Sequence, residues 1–145
     1  MKKSNFIIKE TPLCGKGIFS TKMHPKHEIL FSFGTKIVPW FKANHRSIQL
    51  GKNKWLNPSK NELGCYVNHS CNPNAQFKAP HFVAALRNIR ARQEITLDYT
   101  TLVNIPNWDM PCSCGYKDCR KKIKSYAKSP AKLQKKYKGI VSFRE

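Results

Sequence analysis

Asn68-His69-Ser70-Cys71-Asn72-Pro73-Asn74, following the apolar pair Tyr66-Val67, is the stretch on which the reading of this chain turns. A plain Asn-Pro-Asn turn needs no His, Ser or Cys beside it. Asn and His side chains supply paired donors and acceptors able to hold an amino-acid or purine group. Taken alone, His69 also reads as a hydrogen-bonded core histidine. Cys71 gains meaning from a second place, Cys112-Ser113-Cys114-Gly115-Tyr116-Lys117-Asp118-Cys119. This C-x-C-x4-C cluster offers three thiolates, one short of a tetrahedral zinc site. No Cys or His follows Cys119 closely, so Cys71 is the candidate fourth ligand. One ion held by all four would pin the C-terminal tail against the polar run and cover a small-molecule site.

Working outward, the 145 residues are the length of one domain with one modest core. No apolar stretch is long enough for a spanning helix, so no membrane partner is expected. Met1–Glu10 groups only Phe6, Ile7 and Ile8 as apolar residues, and reads as a first strand and not as a leader. Six cysteines in metal-like spacing point to a reducing compartment, and so to an intracellular protein of nucleus, chromatin or cytoplasm. Cys14 and Cys65 read as small buried thiols. The formal net charge is +19, and residues 115–145 carry eleven Lys or Arg against Asp118 and Glu145. Such a tail suits nucleic acid or an acidic protein surface. A solvated lysine-rich face is the plainer alternative. No feature signals a defined oligomer.

The pattern up to Tyr99 is one of short strands and breakers, with no long helical period. Strands are expected at Phe6-Ile7-Ile8, Ile18-Phe19, 28–33, 82–86 and 94–99. Residues 47–50 and 54–56 read as a hairpin across Gly51-Lys52-Asn53. Residues 100–110 read as a loop. In the tail, Ser129 reads as an N-cap and Pro130 as the first position of a helix ending near Lys138, before Gly139.

Two further segments carry chemistry. Gly15-Lys16-Gly17 lets a backbone turn sharply and lets a ligand approach its amides. The following Ile18-Phe19 looks like strand, so a dinucleotide fingerprint fails, and a tight hairpin is the simpler reading. Glu94-Ile95-Thr96-Leu97-Asp98-Tyr99 alternates polar and apolar residues and delivers a tyrosine at its end. Such a tyrosine places its hydroxyl in a cleft or plugs a sheet edge.

In this order, followed by the cysteine cluster, these segments resemble the SET-domain protein lysine methyltransferases with a post-SET zinc segment. The resemblance runs from about Ile7 to Ile123. It implies a mainly β fold, the SET-domain β-clip, with several small twisted sheets and a C-terminal pseudoknot that brings Asn68 and Tyr99 together. A short C-terminal helix is added here. It divides the chain into a SET domain over 1–111 and a post-SET segment with basic tail over 112–145. It implies S-adenosylmethionine against Lys16, Gly17, Tyr66, Asn68, His69 and Tyr99, with Ile123 over the adenine. Lys16 would meet the carboxylate, and His69 would act through its backbone. Tyr99, with Asn68 and His69, is the implied catalytic group. Cys71, Cys112, Cys114 and Cys119 are the implied ligands of one structural zinc. The implied substrate is a lysine of a histone-like or other basic protein.

Two positions depart from the family. Cys65 stands where an arginine is usual. Leu97 stands where Phe or Tyr is usual, and is expected to leave room for more than one methyl group. Substrate selection is expected from the domain itself, from the insert over 35–64, or from the tail. A second reading is a non-enzymatic basic zinc module that docks on nucleic acid or chromatin.

Overall fold

The structure, a computed structural model, describes residues 3–144. Met1 and Lys2 of the expected first strand, and Glu145 of the tail, lie outside the described residues. Gly15 has φ of +68°, the left-handed value that a sharp turn needs and glycine supplies. It joins β1 (Phe6–Thr11) to β2 (Gly15–Ser20) as an antiparallel hairpin with Thr11 opposite Gly15.

The apolar runs between breakers form two three-stranded sheets. One has the order β3 (Ile29–Ser32), β9 (Phe82–Ala85), β8 (Ala75–Lys78). The other, within the insert, has the order β4 (Ile37–Val38), β6 (Lys54–Leu56), β5 (Ile48–Gly51). The expected hairpin across 51–53 is the β5–β6 pair. Strands β4 and β8 are too short or too mixed in polarity to stand out in the sequence.

Two small pairs build the site. β7 (Asn68–His69) lies parallel to β10 (Thr96–Leu97), with Asn68 opposite Thr96 and His69 opposite Leu97. A parallel pair needs a crossover between its strands, and here the whole β8–β9 hairpin supplies it. β11 (Asp109–Pro111) pairs antiparallel with β12 (Lys122–Lys124), so the expected loop over 100–110 ends in a strand.

The core gathers one or two residues from almost every element, among them Ile18, Leu56, Val83, Ile89, Ile95 and Leu97. Sheets of two or three strands bury too little to stand alone, so each is stable only through this shared core. The tail helix α1 (Ala131–Lys136) is shorter than expected. Ser129 does not cap it: its hydroxyl donates back to the Ser125 carbonyl at 3.0 Å. Beyond α1 the chain returns to the insert, where the Ser142 hydroxyl donates to the Gln49 carbonyl at 2.7 Å. Among the described residues no helix is long and apolar enough to cross a membrane.

Candidate active site

A cavity of about 1230 Å³ opens between β2, the insert, the β7 strand and the β11 arm. Lys16, Tyr66, Asn68, His69 and Tyr99 all border it. A smaller space of about 290 Å³ adjoins it, sharing Cys14, Asn68 and His69 as walls.

Asn68 is held from two sides. Its Nδ2 donates to the Lys16 carbonyl at 2.9 Å and to Glu94 Oε1 at 2.8 Å. This draws three distant segments together. Gly17 is required there by space and not by conformation, because a Cβ would run into Glu94 and come within 3.0 Å of Asn68 Nδ2.

His69 is buried, and the Tyr99 backbone N–H donates to its Nδ1 at 3.0 Å. That bond leaves the ring proton on Nε2, which faces Cys71 Sγ at 3.3 Å. Burial lowers the His69 pKa to about 4, with Asp98 opposing and Arg120 adding. The ring is therefore neutral, and its 3.7 Å approach to Asp98 is no ion pair. The core-histidine reading thus describes the ring, which positions the Tyr99 backbone.

The Tyr99 hydroxyl donates to the Val67 carbonyl at 2.5 Å. Burial raises its pKa well above the usual tyrosine range, helped by Cys14 and Glu94, so the hydroxyl stays protonated. Behind Tyr99, Asp98 is 2% exposed and accepts from Thr100 N–H, Arg120 and Tyr137. The Arg120 and Tyr137 bonds are both 2.7 Å. Burial works against the Arg120 charge, and the Asp98 carboxylate more than offsets it.

The four sulfurs of Cys71, Cys112, Cys114 and Cys119 lie within 4.8 Å of one another. Cys112 Sγ is 3.8 Å from Cys71 Sγ and 3.6 Å from Cys119 Sγ. A tetrahedron with zinc–sulfur bonds of about 2.3 Å has edges of about 3.8 Å. The cluster is therefore compatible with one zinc ion. Surrounding donors suit thiolates. Arg120 Nε points at Cys71 Sγ at 3.4 Å, and the Lys121 N–H at Cys119 Sγ at 3.4 Å. The Lys121 N–H leads the effects that bring the Cys119 pKa down to about 6, while burial raises that of Cys112.

Other expected residues lie elsewhere. Ile123 is fully buried opposite Met110 on the β11–β12 pair and borders neither space; Met110 borders the larger one. Leu97 is 1% exposed and belongs to the core, not to the cavity wall. Cys14 is exposed at the cavity and is not a buried thiol; Cys65 is buried as expected. Glu94, Asp98, Arg120 and Arg46 are neighbours of these groups to which the sequence reading gave no role. Arg46 Nη1 donates to Cys65 Sγ at 3.0 Å, so an arginine from the insert stands beside the position where the family has its own. Glu94 and Asp98 lie within the segment singled out for Tyr99 and Arg120 adjoins Cys119, whereas Arg46 carried no signal.

A family model for the SET domain matches residues 15–100. The chain is similar to the histone-lysine N-methyltransferase trr of Drosophila melanogaster, 22% identical over 82% of this chain and 6% of the relative. It is similar to the H3 lysine-36 specific histone-lysine N-methyltransferase of Candida albicans, 25% identical over 77% of this chain and 16% of the relative. It is also 42% identical to the histone-lysine N-methyltransferase trithorax of Drosophila virilis, over 39% of this chain and 2% of the relative. The chain thus spans a small part of the length of these relatives. The fold is similar to that of the methyltransferase domain of human SETMAR, with a TM-score of 0.68 at 17% identity over 85% of this chain and 59% of that one. With the ordered motifs, the β7–β10 pairing and a family match over most of its length, this chain belongs to the SET domain family.

Proposed function

We propose that this chain transfers a methyl group from S-adenosylmethionine to the side-chain amine of a lysine in a protein. The observation that carries this reading is the Tyr99 hydroxyl at the cavity wall, tied to the Val67 carbonyl one residue from Asn68. Ligand pockets commonly measure about 300–1000 Å³. A cavity of about 1230 Å³ has room for the cofactor and a lysine side chain together.

When bound, S-adenosylmethionine supplies a methyl group on a positively charged sulfur. The residues present fit it: Lys16 offers a cation for its carboxylate, Tyr66, Asn68 and His69 flank the same wall, and Gly17 lets Asn68 and Glu94 close up behind it. Ile123 acts from behind, by seating the strand that carries Met110. Tyr99 commits its hydroxyl proton to Val67, which leaves its oxygen lone pairs to accept an amine N–H. A lysine has a reference pKa of about 10.4 and must lose its proton before it can attack. The cations Lys16, Arg46 and Lys52, with the apolar wall of Trp55, Val67 and Leu102, disfavour the ammonium form. No dedicated base is needed, and His69 cannot serve as one, because its Nδ1 is engaged by Tyr99. Catalysis is then mainly alignment.

Cys71, Cys112, Cys114 and Cys119 hold one structural zinc in this reading. It ties the 112–145 segment to the 1–111 domain, and the β11–β12 pair crosses that same boundary. Exposed lysines such as Lys132, Lys135 and Lys136 favour a second, compatible role, docking of the tail on an acidic or nucleic-acid partner in a chromatin setting. Steep loss of nucleic-acid affinity with salt would reveal it.

The test is Tyr99→Phe. The expected result is a fall of about a hundredfold or more in transfer, with cofactor affinity and zinc content kept. Full activity in that variant overturns the role of Tyr99.

A further inference from the structure

The charge around the reacting lysine narrows the substrate. Among the described residues lining the large cavity there is no Asp or Glu, while Lys16, Arg46 and Lys52 all border it. In the proposed reading Lys16 is taken by the cofactor carboxylate. Arg46 and Lys52, both from the insert, are left for the substrate. Trp55 lines the same cavity. It is 6% exposed, and its Nε1 has no hydrogen-bond partner among the described residues. Guanidinium and ammonium groups only donate. This side of the cavity therefore offers donors and positive charge, and calls for an acceptor.

The insert around it repeats the sign. Residues 35–64 carry Lys36, Lys42, Arg46, Lys52, Lys54 and Lys60 against a single acid, Glu62. Glu62 is already engaged, its carboxylate accepting the Ser59 N–H at 2.7 Å. A segment with Lys or Arg beside its target lysine would bring cation against cation at a wall with no counter-charge. Like charges set face to face are a strong device for excluding wrong partners.

We propose that the lysine accepted here is flanked by acidic residues, whose carboxylates meet Arg46 and Lys52. This rests on the lysine-transfer reading. It concerns the residues beside the lysine, not the overall charge of the protein that carries them. Nucleic acid is the less fitting occupant of the rim, because the donors converge on the same cavity that must admit a lysine side chain.

The experiment uses the full chain with labelled S-adenosylmethionine and three peptides sharing one lysine core, flanked by Asp and Glu, by Ser and Gly, or by Lys and Arg. The expected order of kcat/KM is acidic above neutral above basic, with the two ends separated by about tenfold or more at low salt. The gap should narrow as salt screens the charges. Arg46→Glu with Lys52→Glu should reverse the order. If that variant fails to fold, the salt dependence of the unaltered chain carries the same test. Equal rates, or preference for the basic peptide, overturn the proposal and leave the lysine-transfer reading standing. A short RNA that displaces the acidic peptide at lower concentration than the peptide itself also overturns it, assigning the rim to nucleic acid. Cofactor binding without transfer to any peptide overturns the lysine-transfer reading, and the proposal with it.

Discussion

Behind the cavity, Asp98 is 2% exposed and holds Arg120, Tyr137 and the Thr100 amide; at the rim, Trp40 and Phe41 are each 66% exposed and meet edge to face. The back wall is cross-bonded. His69 holds the Tyr99 backbone, Arg120 joins Asp98 to Cys71, and Tyr137 brings in the tail helix. The rim has cations without counter-charges and aromatic rings without cover. In the proposed reading the difference separates two tasks. Alignment for transfer needs groups that cannot move, which a fully bonded network supplies. Choice among substrates needs groups still free to bond, which only an unpaired surface supplies.

The harshest way to break the back wall is to take away the metal. Structural zinc in small domains contributes folding free energy of about 10 kcal/mol or more. Chelation, or Cys71→Ser, should therefore release the tail, lower the melting temperature and abolish cofactor binding together. Metal analysis and calorimetry on the same sample check this. An unchanged melting temperature after complete metal loss would detach the cysteine cluster from the site.

A smaller but still large effect is expected from Asp98→Ala. It leaves the Arg120 guanidinium half-buried without its carboxylate and Tyr137 without its acceptor. Removing one partner of a buried ion pair costs about 3–5 kcal/mol. Urea unfolding should show a loss in that range. Asp98→Asn, which keeps an acceptor oxygen, should lose less. A change under about 1 kcal/mol for Asp98→Ala would mean that the network is ornamental to stability.

The two regions were also unequally legible in the sequence. The back wall was readable because its chemistry uses rare residue types in fixed spacing: Asn68-His69, Cys71, Tyr99 and the C-x-C-x4-C cluster. What escaped there was the second layer. Asp98 and Arg120 sit beside named residues, but a single chain does not tell whether Asp98 faces solvent or a buried guanidinium. Tyr137 lies 39 residues from Asp98, and no local pattern joins them. Ser129 followed helix-start chemistry, yet tertiary bonds to Ser125 won over capping. Leu97 and Ile123 were placed at the cavity by resemblance, and core packing holds them behind it. The rim was hardly readable at all. The insert gave its β5–β6 hairpin through turn chemistry, but lysines and aromatics in it look like any surface until the fold sets Arg46 and Lys52 around one opening.

The gentlest probe tests the rim by what should not change. Trp40 lies on a short turn at the cavity edge, and its ring meets that of Phe41 edge to face, with centroids 6.2 Å apart. Truncating so exposed a ring should alter stability by no more than about 0.5 kcal/mol. If the rim selects substrate, the same ring covers the apolar stem of the segment being methylated. Losing about 1 kcal/mol of contact would raise KM for a peptide about fivefold. Because that contact forms before and persists through transfer, kcat should hold. Trp40→Ala should therefore show raised KM, unchanged kcat, unchanged cofactor affinity and an unchanged urea midpoint. A fall in kcat instead would place Trp40 with the aligned groups and erase the division between rim and back wall.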